Sequence, residues 1–199
     1  MPAEQNTSGT AVADFEKEFW GSCANTIGEE IKQLVYARYM GLELTGTWRT
    51  SYNFDLKGQR VVDIGGGPVS LLLKCQNGKG TVIDPIQFPP WVFNRYEYAG
   101  IEHYTMRGED LLPLADQYDE AWIYNVLQHV DDPLKIIANA RKLARRVRMF
   151  EWIDIPPYIG HPHMLTQAML EAALERGGNT VALNESGCYG RAFYGSWIY

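Results

Sequence analysis

Arg60-Val61-Val62-Asp63-Ile64-Gly65-Gly66-Gly67-Pro68-Val69-Ser70-Leu71-Leu72-Leu73 is the stretch around which the chain is organised. A polar lead, Gln59 and Arg60, enters Val61 and Val62, β-branched residues that favour a buried strand. Three consecutive glycines remove every Cβ from the following turn and let a ligand approach the backbone closely. Beyond them, Val69–Cys75 reads as a helix whose first free N–H groups form a polar, slightly positive cradle. Strand, turn and helix start together describe a nucleotide- or nucleoside-binding turn. The bland alternative is an ordinary strand–helix turn that is rich in glycine.

At 199 residues the chain can bury one substantial core and is short for two. Its 46% apolar and 21% charged residues are those of a soluble globular protein. A formal net charge of -6 argues against a broad basic surface for nucleic acid. No secretory signal and no bilayer-spanning apolar run is visible, so no membrane role is expected. Cys23, Cys75 and Cys188 are odd in number and widely spaced, without a disulfide framework or zinc spacing, which fits a reducing, cytoplasmic setting.

Residues 1–56 read as an N-terminal helical arm or lid on a core of residues 57–199, one compact domain overall. Met1 to about Val12 is small and polar, with disorder expected at its start. Helices are expected over Asp14–Trp20 and Gly28–Met40, the latter ended by Gly41. The arm is rich in aromatics, among them Trp20, Tyr36, Tyr39, Trp48 and Tyr52, which suit either a helical pair packed on the core or a lid. From Gln59 onward strands and helices alternate. Strands are expected at Arg60–Ile64, Gly80–Ile83, Ile101–Thr105, Tyr118–Tyr124, Val147–Ile153, Asn179–Leu183 and Ala192–Ile198. Helices are expected at Phe88–Tyr98, Leu134–Leu143 and Met164–Arg176, with a short turn within Asp110–Gln117. This order predicts a three-layer α/β Rossmann-like fold with a seven-stranded, mostly parallel sheet. Only Asn184–Arg191 joins the last two strands, too short for a crossover helix, so the last strand must return antiparallel.

In such a sheet the ligand lies beyond the carboxyl ends of the strands. Acidic residues fall at three of those ends. Asp63 precedes the glycines Gly65, Gly66 and Gly67. Asp84, before Pro85, stands about 20 residues on, where a ribose-binding acid belongs in a nucleoside-binding unit. Glu109 and Asp110 follow the third strand and suit either a purine's exocyclic amine or a solvated turn. After the fourth strand, Asn125-Val126-Leu127-Gln128-His129 faces the crevice, and Asp132-Pro133 caps the next helix. The glycines are contiguous and Pro68 deletes an N–H donor, which suits a pyrophosphate poorly. A phosphate-free, positively charged cofactor fits better.

These features resemble the class I S-adenosylmethionine-dependent methyltransferases. The glycine-rich first loop opened by an acid is similar to Asp63-Ile64-Gly65-Gly66-Gly67, the ribose-binding acid to Asp84, and the adenine-side acidic loop to Gly108-Glu109-Asp110. The segment after strand four looks like Asn125-Val126-Leu127-Gln128-His129-Val130. The resemblance covers about Lys57 to Tyr199 and includes the antiparallel last strand. It implies methyl transfer from S-adenosyl-L-methionine. Carboxylates would attract the sulfonium independently of any resemblance.

The expected cofactor contacts are Asp63, Gly65, Gly66, Gly67, Asp84, Pro85, Glu109, Asp110, Asn125, Val126, Trp20 and Tyr36. Phe88, Pro89, Pro90 and Trp91 are expected to wall the adenine. The candidates for base or acceptor orientation are His129, Tyr158, His161 and His163, each with a structural alternative. His161 and His163 lack a third ligand or nearby Cys, so no metal is expected. The expected acceptor is a small or medium-sized molecule, with a homodimer left open. Alternatives are an RNA or protein acceptor, fed by the basic run Arg141, Lys142, Arg145, Arg146 and Arg148, a non-catalytic S-adenosylmethionine-binding protein, or an NAD-dependent dehydrogenase.

Overall fold

The computed structural model describes residues 7–45, 53–110 and 118–199, without the side chains of residues 7–11 and 23. Trp48, Tyr52 and the turn expected after Asp110 lie outside the described residues. Two helices open the chain, α1 (Thr7–Trp20) and α2 (Cys23–Tyr39). Helix α1 begins well before the expected Asp14. At the end of α2, Gly41 takes φ 72°. The Gly41 N–H bonds to the Arg38 carbonyl at 3.1 Å and the Leu42 N–H to Ala37 at 2.9 Å. This left-handed cap satisfies the last carbonyls of the helix.

Strand β1 (Phe54–Asp55) pairs in parallel with β3 (Cys75–Gln76), a small sheet the sequence pattern does not announce. Between them runs β2 (Arg60–Ile64), as expected. The rest follows as β4 (Lys79–Asp84), α3 (Pro90–Tyr98), β5 (Glu102–Thr105), β6 (Tyr118–Tyr124), α4 (Pro133–Leu143), β7 (Ala144–Ile153), α5 (Gln167–Leu174), β8 (Asn179–Glu185) and β9 (Cys188–Ile198). The main sheet has seven strands in the order β5-β4-β2-β6-β7-β9-β8. Neighbours from β5 to β7 are parallel, and β9 runs antiparallel to both β7 and β8. The hairpin turn is tighter than Asn184–Arg191. Ser186 and Gly187 alone make it, both at positive φ (51° and 80°), the conformation a two-residue hairpin loop requires.

Strand alternation divides the core into two halves. Val61, Trp122, Tyr124, Phe150 and Trp152 face one side, where α2 and α3 contribute Tyr36, Met40, Val92 and Tyr96. Val62, Ile64, Ile123, Val147 and Met149 face the other, against Ile136, Ile137, Ala140 and Leu143 of α4 and Leu170 and Leu174 of α5. Each buried large apolar side chain contributes about 1.5–3 kcal/mol. Asp132 starts α4 by accepting the Lys135 N–H at 3.0 Å, with Pro133 at the first helical position.

The helix expected at Val69–Cys75 is absent. Two short 3-10 turns, Gly67–Val69 and Leu71–Lys74, replace it, separated by Ser70 at ψ 140°. Pro68 supplies no N–H, and the Ser70 hydroxyl captures the Leu72 N–H at 3.1 Å, so the backbone never enters a regular helix. Side chains from other elements satisfy it instead. Tyr96 donates to the Gly67 carbonyl and Gln33 to that of Val69, while Tyr124 accepts the Leu71 N–H at 3.0 Å.

In the basic run at the end of α4 and the start of β7, Arg141, Arg146 and Arg148 are paired, while Lys142 and Arg145 are exposed. Glu120, 2% exposed, receives Arg148 through Nε at 2.6 Å and Arg146 at 3.1 Å, and the Trp122 indole at 2.9 Å. Arg148 also donates to the carbonyls of Met40 (2.8 Å) and Gly41 (3.0 Å) at the end of α2. Arg141 pairs with Glu175 at 2.6 Å. None of the described helices is long and apolar enough to cross a membrane.

Candidate functional site

Strand order reverses between β2 and β6, and there a cavity of about 500 Å³ opens at the carboxyl ends of the strands. Gly65 and Gly67 floor it, followed by Asp84, Pro85 and Ile86 from the end of β4, and Gly108 and Glu109 after β5. Asn125, Val126, Gln128 and His129 enter after β6, and Trp152 and Ile155 from β7 and its loop. Helix α1 closes over these with Phe15, Glu16, Phe19 and Trp20.

The glycine turn is built for closeness. Gly65 sits at φ 77°, and a Cβ there would lie 2.1 Å from Val126 Cγ2. Gly66 has an ordinary φ and does not line the cavity, because it covers the Asp63 carboxylate, 2.7 Å from where its Cβ would be. Asp63 is correspondingly not exposed to the cavity. It is fully buried under the loop, accepting the hydroxyls of Ser70 and Tyr124, with its other oxygen unpartnered. Burial pushes its carboxyl up to about 7, against the pull of the two hydroxyls. Asp63 thus holds the turn from below.

Asp84 does reach the cavity. Its two oxygens accept the Gly67 N–H at 3.0 Å and the Ile86 N–H at 2.9 Å, tying the glycine turn to the end of β4. Burial again lifts its carboxyl to about 7, with both N–H groups opposing. Glu109 also lines the cavity, but its Oε1 is taken by the N–H groups of Asp131 (3.1 Å) and Asp132 (3.2 Å) and by Arg107 (3.3 Å). Asp110 is exposed and points elsewhere.

Several expected aromatics do not reach the cavity. Tyr36 is stacked on Phe150 in the core, ring centroids 4.6 Å apart. Tyr39 packs on Tyr194 at 4.7 Å. Phe88 turns into the core, Trp91 lies outside beneath Arg95, and neither they nor Pro89 and Pro90 wall the cavity. The prolines of that segment carry it away to start α3. Ile86 and Pro85 stand at the cavity instead. Trp20 does line it, held by a bond from its indole N–H to Glu16 at 3.1 Å.

On the opposite wall His129, Tyr158 and His161 come together, whereas His163 lies outside the cavity. It sits in the extended segment before α5, whose cap is Thr166. His129 Nδ1 is 2.8 Å from the Gly160 carbonyl and 3.0 Å from Glu16 Oε1. Both are acceptors, so Nδ1 carries a proton. Burial pulls the pKa of His129 down, but Glu16, Glu151 and the Gly160 carbonyl outweigh it and raise it above the ordinary imidazole value. His161 meets His129 edge-on at 4.3 Å and the Tyr158 hydroxyl through Nε2 at 3.0 Å. Burial and the neighbouring His129 push it down to about 4, leaving it neutral at pH 7.

Two acids here escaped sequence reasoning. Glu151 is fully buried and accepts the N–H groups of Val126 (3.0 Å) and Leu127 (3.2 Å), positioning the turn that holds Asn125 at φ 53°. An acid inside the apolar run Met149–Ile153 was its signal. Glu16 had none, because only the placement of α1 brings it to His129. Among the described residues no group of three or more His, Cys, Asp or Glu could hold a metal ion.

No protein-family model and no curated protein matches the chain. Solved structures do. The N-methyltransferase NodS of Bradyrhizobium japonicum, in complex with S-adenosyl-L-homocysteine, is similar with TM-score 0.65 and 11% identity, over 94% of this chain and 98% of that one. The 1,6-didemethyltoxoflavin-N1-methyltransferase of Burkholderia thailandensis, with 1,6-didemethyltoxoflavin and S-adenosylhomocysteine bound, is similar with TM-score 0.63 and 15% identity, over 98% and 91%. The [4+2]-cyclase SpnF is similar with TM-score 0.55 and 15% identity, over 73% and 55%. The strand order, the antiparallel last strand and the N-terminal helices give this protein the fold of the class I S-adenosylmethionine-dependent methyltransferases.

Proposed function

We propose that the protein is a methyltransferase that takes its methyl group from S-adenosyl-L-methionine and acts on a small or medium-sized molecule. The observation that carries this reading is Asp84, buried at the carboxyl end of β4 and lining the cavity. One backbone N–H reaches each of its oxygens, and an ionised carboxylate has about four acceptor sites, so capacity remains for both hydroxyls of a ribose. The surroundings fit the rest of the cofactor. Ile64, Ile83, Ile86 and Ile136 offer an apolar slot for a purine, and about 500 Å³ is ample for a ligand of that size. Gln128 stands beside the cavity, and its buried Oε1 has no partner.

Carboxylates outnumber cations around the cavity. Glu16, Glu29, Asp84, Glu109 and Asp131 face only Lys32 and Arg107, apart from His129. That excess favours a sulfonium and disfavours a pyrophosphate. Gly65, Gly67, Asp84, Pro85, Glu109, Asn125, Val126 and Trp20 are the residues assigned to the cofactor, with His129, Tyr158 and His161 on the acceptor side. When bound, the cofactor supplies an electrophilic methyl group. The protein's part is to align the acceptor in line and exclude water beneath α1. The pairing of Arg141, Arg146 and Arg148 with Glu175 and Glu120 leaves the RNA reading without its basic track.

Calorimetry with S-adenosylmethionine, S-adenosylhomocysteine and NAD tests the reading. Both sulfur ligands should bind and NAD should not. Failure of both sulfur ligands to bind would overturn it. Binding without any methylated product in an untargeted screen would point to a non-catalytic role; SpnF is a cyclase of similar fold.

A further inference from the structure

We propose that Glu16 is a positioning residue. Helix α1, laid across the cavity, delivers its carboxylate to His129 Nδ1 and leaves Nε2, beside the Gln128 amide, as the basic atom of the ring. Four separate contacts support this. Glu16 Oε1 lies 3.0 Å from Nδ1, while its Oε2 accepts the Trp20 indole at 3.1 Å, one helical turn on, which fixes the direction of the carboxylate. His129 Nδ1 also faces the Gly160 carbonyl at 2.8 Å. The Phe15 ring is seated on Gly160 so closely that a Cβ there would lie 2.6 Å from it. Helix α1, the turn after β6 and the loop after β7 therefore meet at one point.

The pair is well shielded. Side-chain exposure is 15% for Glu16 and 17% for His129, so solvent screens it far less than an exposed pair. The other ionisable groups facing His129 are accounted for. Glu151 on β7 is occupied by backbone N–H groups, and burial lifts its carboxyl to about 7, so it titrates in the same range but belongs to the sheet and stays in place in Glu16→Gln; His161 on the following loop is neutral at pH 7. Glu16 is thus the one of these partners that α1 supplies. The arrangement follows the carboxylate–imidazole logic in which an acid fixes the tautomer and the far nitrogen exchanges the proton. This role rests on the methyltransferase reading, but the pairing itself does not.

The linkage has a definite sign. With α1 closed the His129 pKa is raised, so His129 contributes fully to closure below its open-state value. That contribution is lost as pH rises through the closed-state value.

The test is a titration of 15N-histidine-labelled full chain without ligand, with His129→Gln assigning the signal. His129 should show the Nδ1–H tautomer and titrate above the ordinary imidazole range. In Glu16→Gln its midpoint should fall by about one pH unit or more. Hydrogen exchange in α1 should be slower at pH 6 than at pH 8, after correction for the intrinsic rate, and that difference should vanish in Glu16→Gln. Should Glu16→Gln fail to fold, Trp20→Phe, which only releases the orientation of Glu16, should lower the midpoint by a smaller amount. An unchanged His129 titration in whichever variant folds would overturn the proposal. Because no cofactor is present, that failure is separate from a failure of the calorimetry.

Discussion

On the side of the cavity formed by β2 and β4, backbone groups are locked by buried side chains. Asp84 ties Gly67 to Ile86, while Tyr96 and Tyr124 hold the glycine turn from beneath. On the facing side, Glu151 fixes the turn after β6, but α1 and the loop after β7 are joined to that turn by side-chain contacts, Glu16 with His129 and His129 with the Gly160 carbonyl. The first side tolerates little displacement, since each bond fixes a backbone position that no other group can satisfy. The second depends on how α1 is seated, since side chains make its contacts with the turn and the loop. A fold can thus keep one half of a site constant while the other half adapts to different molecules.

The sharpest way to break this contrast is Gly65→Ala. A Cβ would meet Val126 at 2.1 Å and force a non-glycine residue to φ 77°. The expected cost is about 3 kcal/mol of stability, from strain and overpacking together. Urea unfolding reads it, and a wild-type midpoint would show that the turn yields easily. Asp84→Ala should weaken S-adenosylmethionine binding by about 1–3 kcal/mol, the cost of unpairing polar partners. Calorimetry showing wild-type affinity would reduce Asp84 to a brace for Gly67.

A smaller effect sharpens the same point. With its carboxyl lifted to about 7, Asp84 is largely protonated at pH 6. Ribose hydroxyls donate best to the ionised form, so affinity should rise between pH 6 and pH 8 and then level off. Asp84→Asn should flatten that rise, and an equal slope in the variant would assign the titration to another group. The smallest effect belongs to exposed Lys142 and Arg145. Replacing both with alanine should change stability by no more than about 0.5 kcal/mol and leave cofactor affinity alone. A loss of acceptor turnover in that double variant would revive a phosphate-bearing substrate.

The sheet was legible because its signal is local. Val61-Val62, Ala121-Trp122-Ile123 and Val147–Ile153 are apolar runs that commit to strands wherever they sit. Asp84, Gly65 and Gly67 reach the cavity as their spacing led one to expect, whereas Gly66 does not. The short turns after the glycines were not legible, since Leu71-Leu72-Leu73 has helical composition and only Pro68 and Ser70 argue against it. Tyr36 and Phe88 were assigned to the ligand for being aromatic, yet each was needed more by the core. Asp63 shows the same competition, as its carboxylate secures the turn it was expected to expose. Glu16 was out of reach, because its role depends on how a helix over 100 residues away from His129 lies on the sheet.

Arg148 has a consequence for how the chain comes to be made. It fastens the end of α2 to Glu120, while Tyr36 rests on Phe150 and Gln33 on the glycine turn. As the polypeptide leaves the ribosome, α2 emerges before the sheet, yet its apolar face has no seat until β7 has been synthesised. Such distant pairings slow folding and leave Val35, Tyr36 and Met40 uncovered until β7 emerges. Production of a shortened chain beginning at Lys57 should give aggregated protein, because the sheet would lose the cover over Phe150 and Trp152.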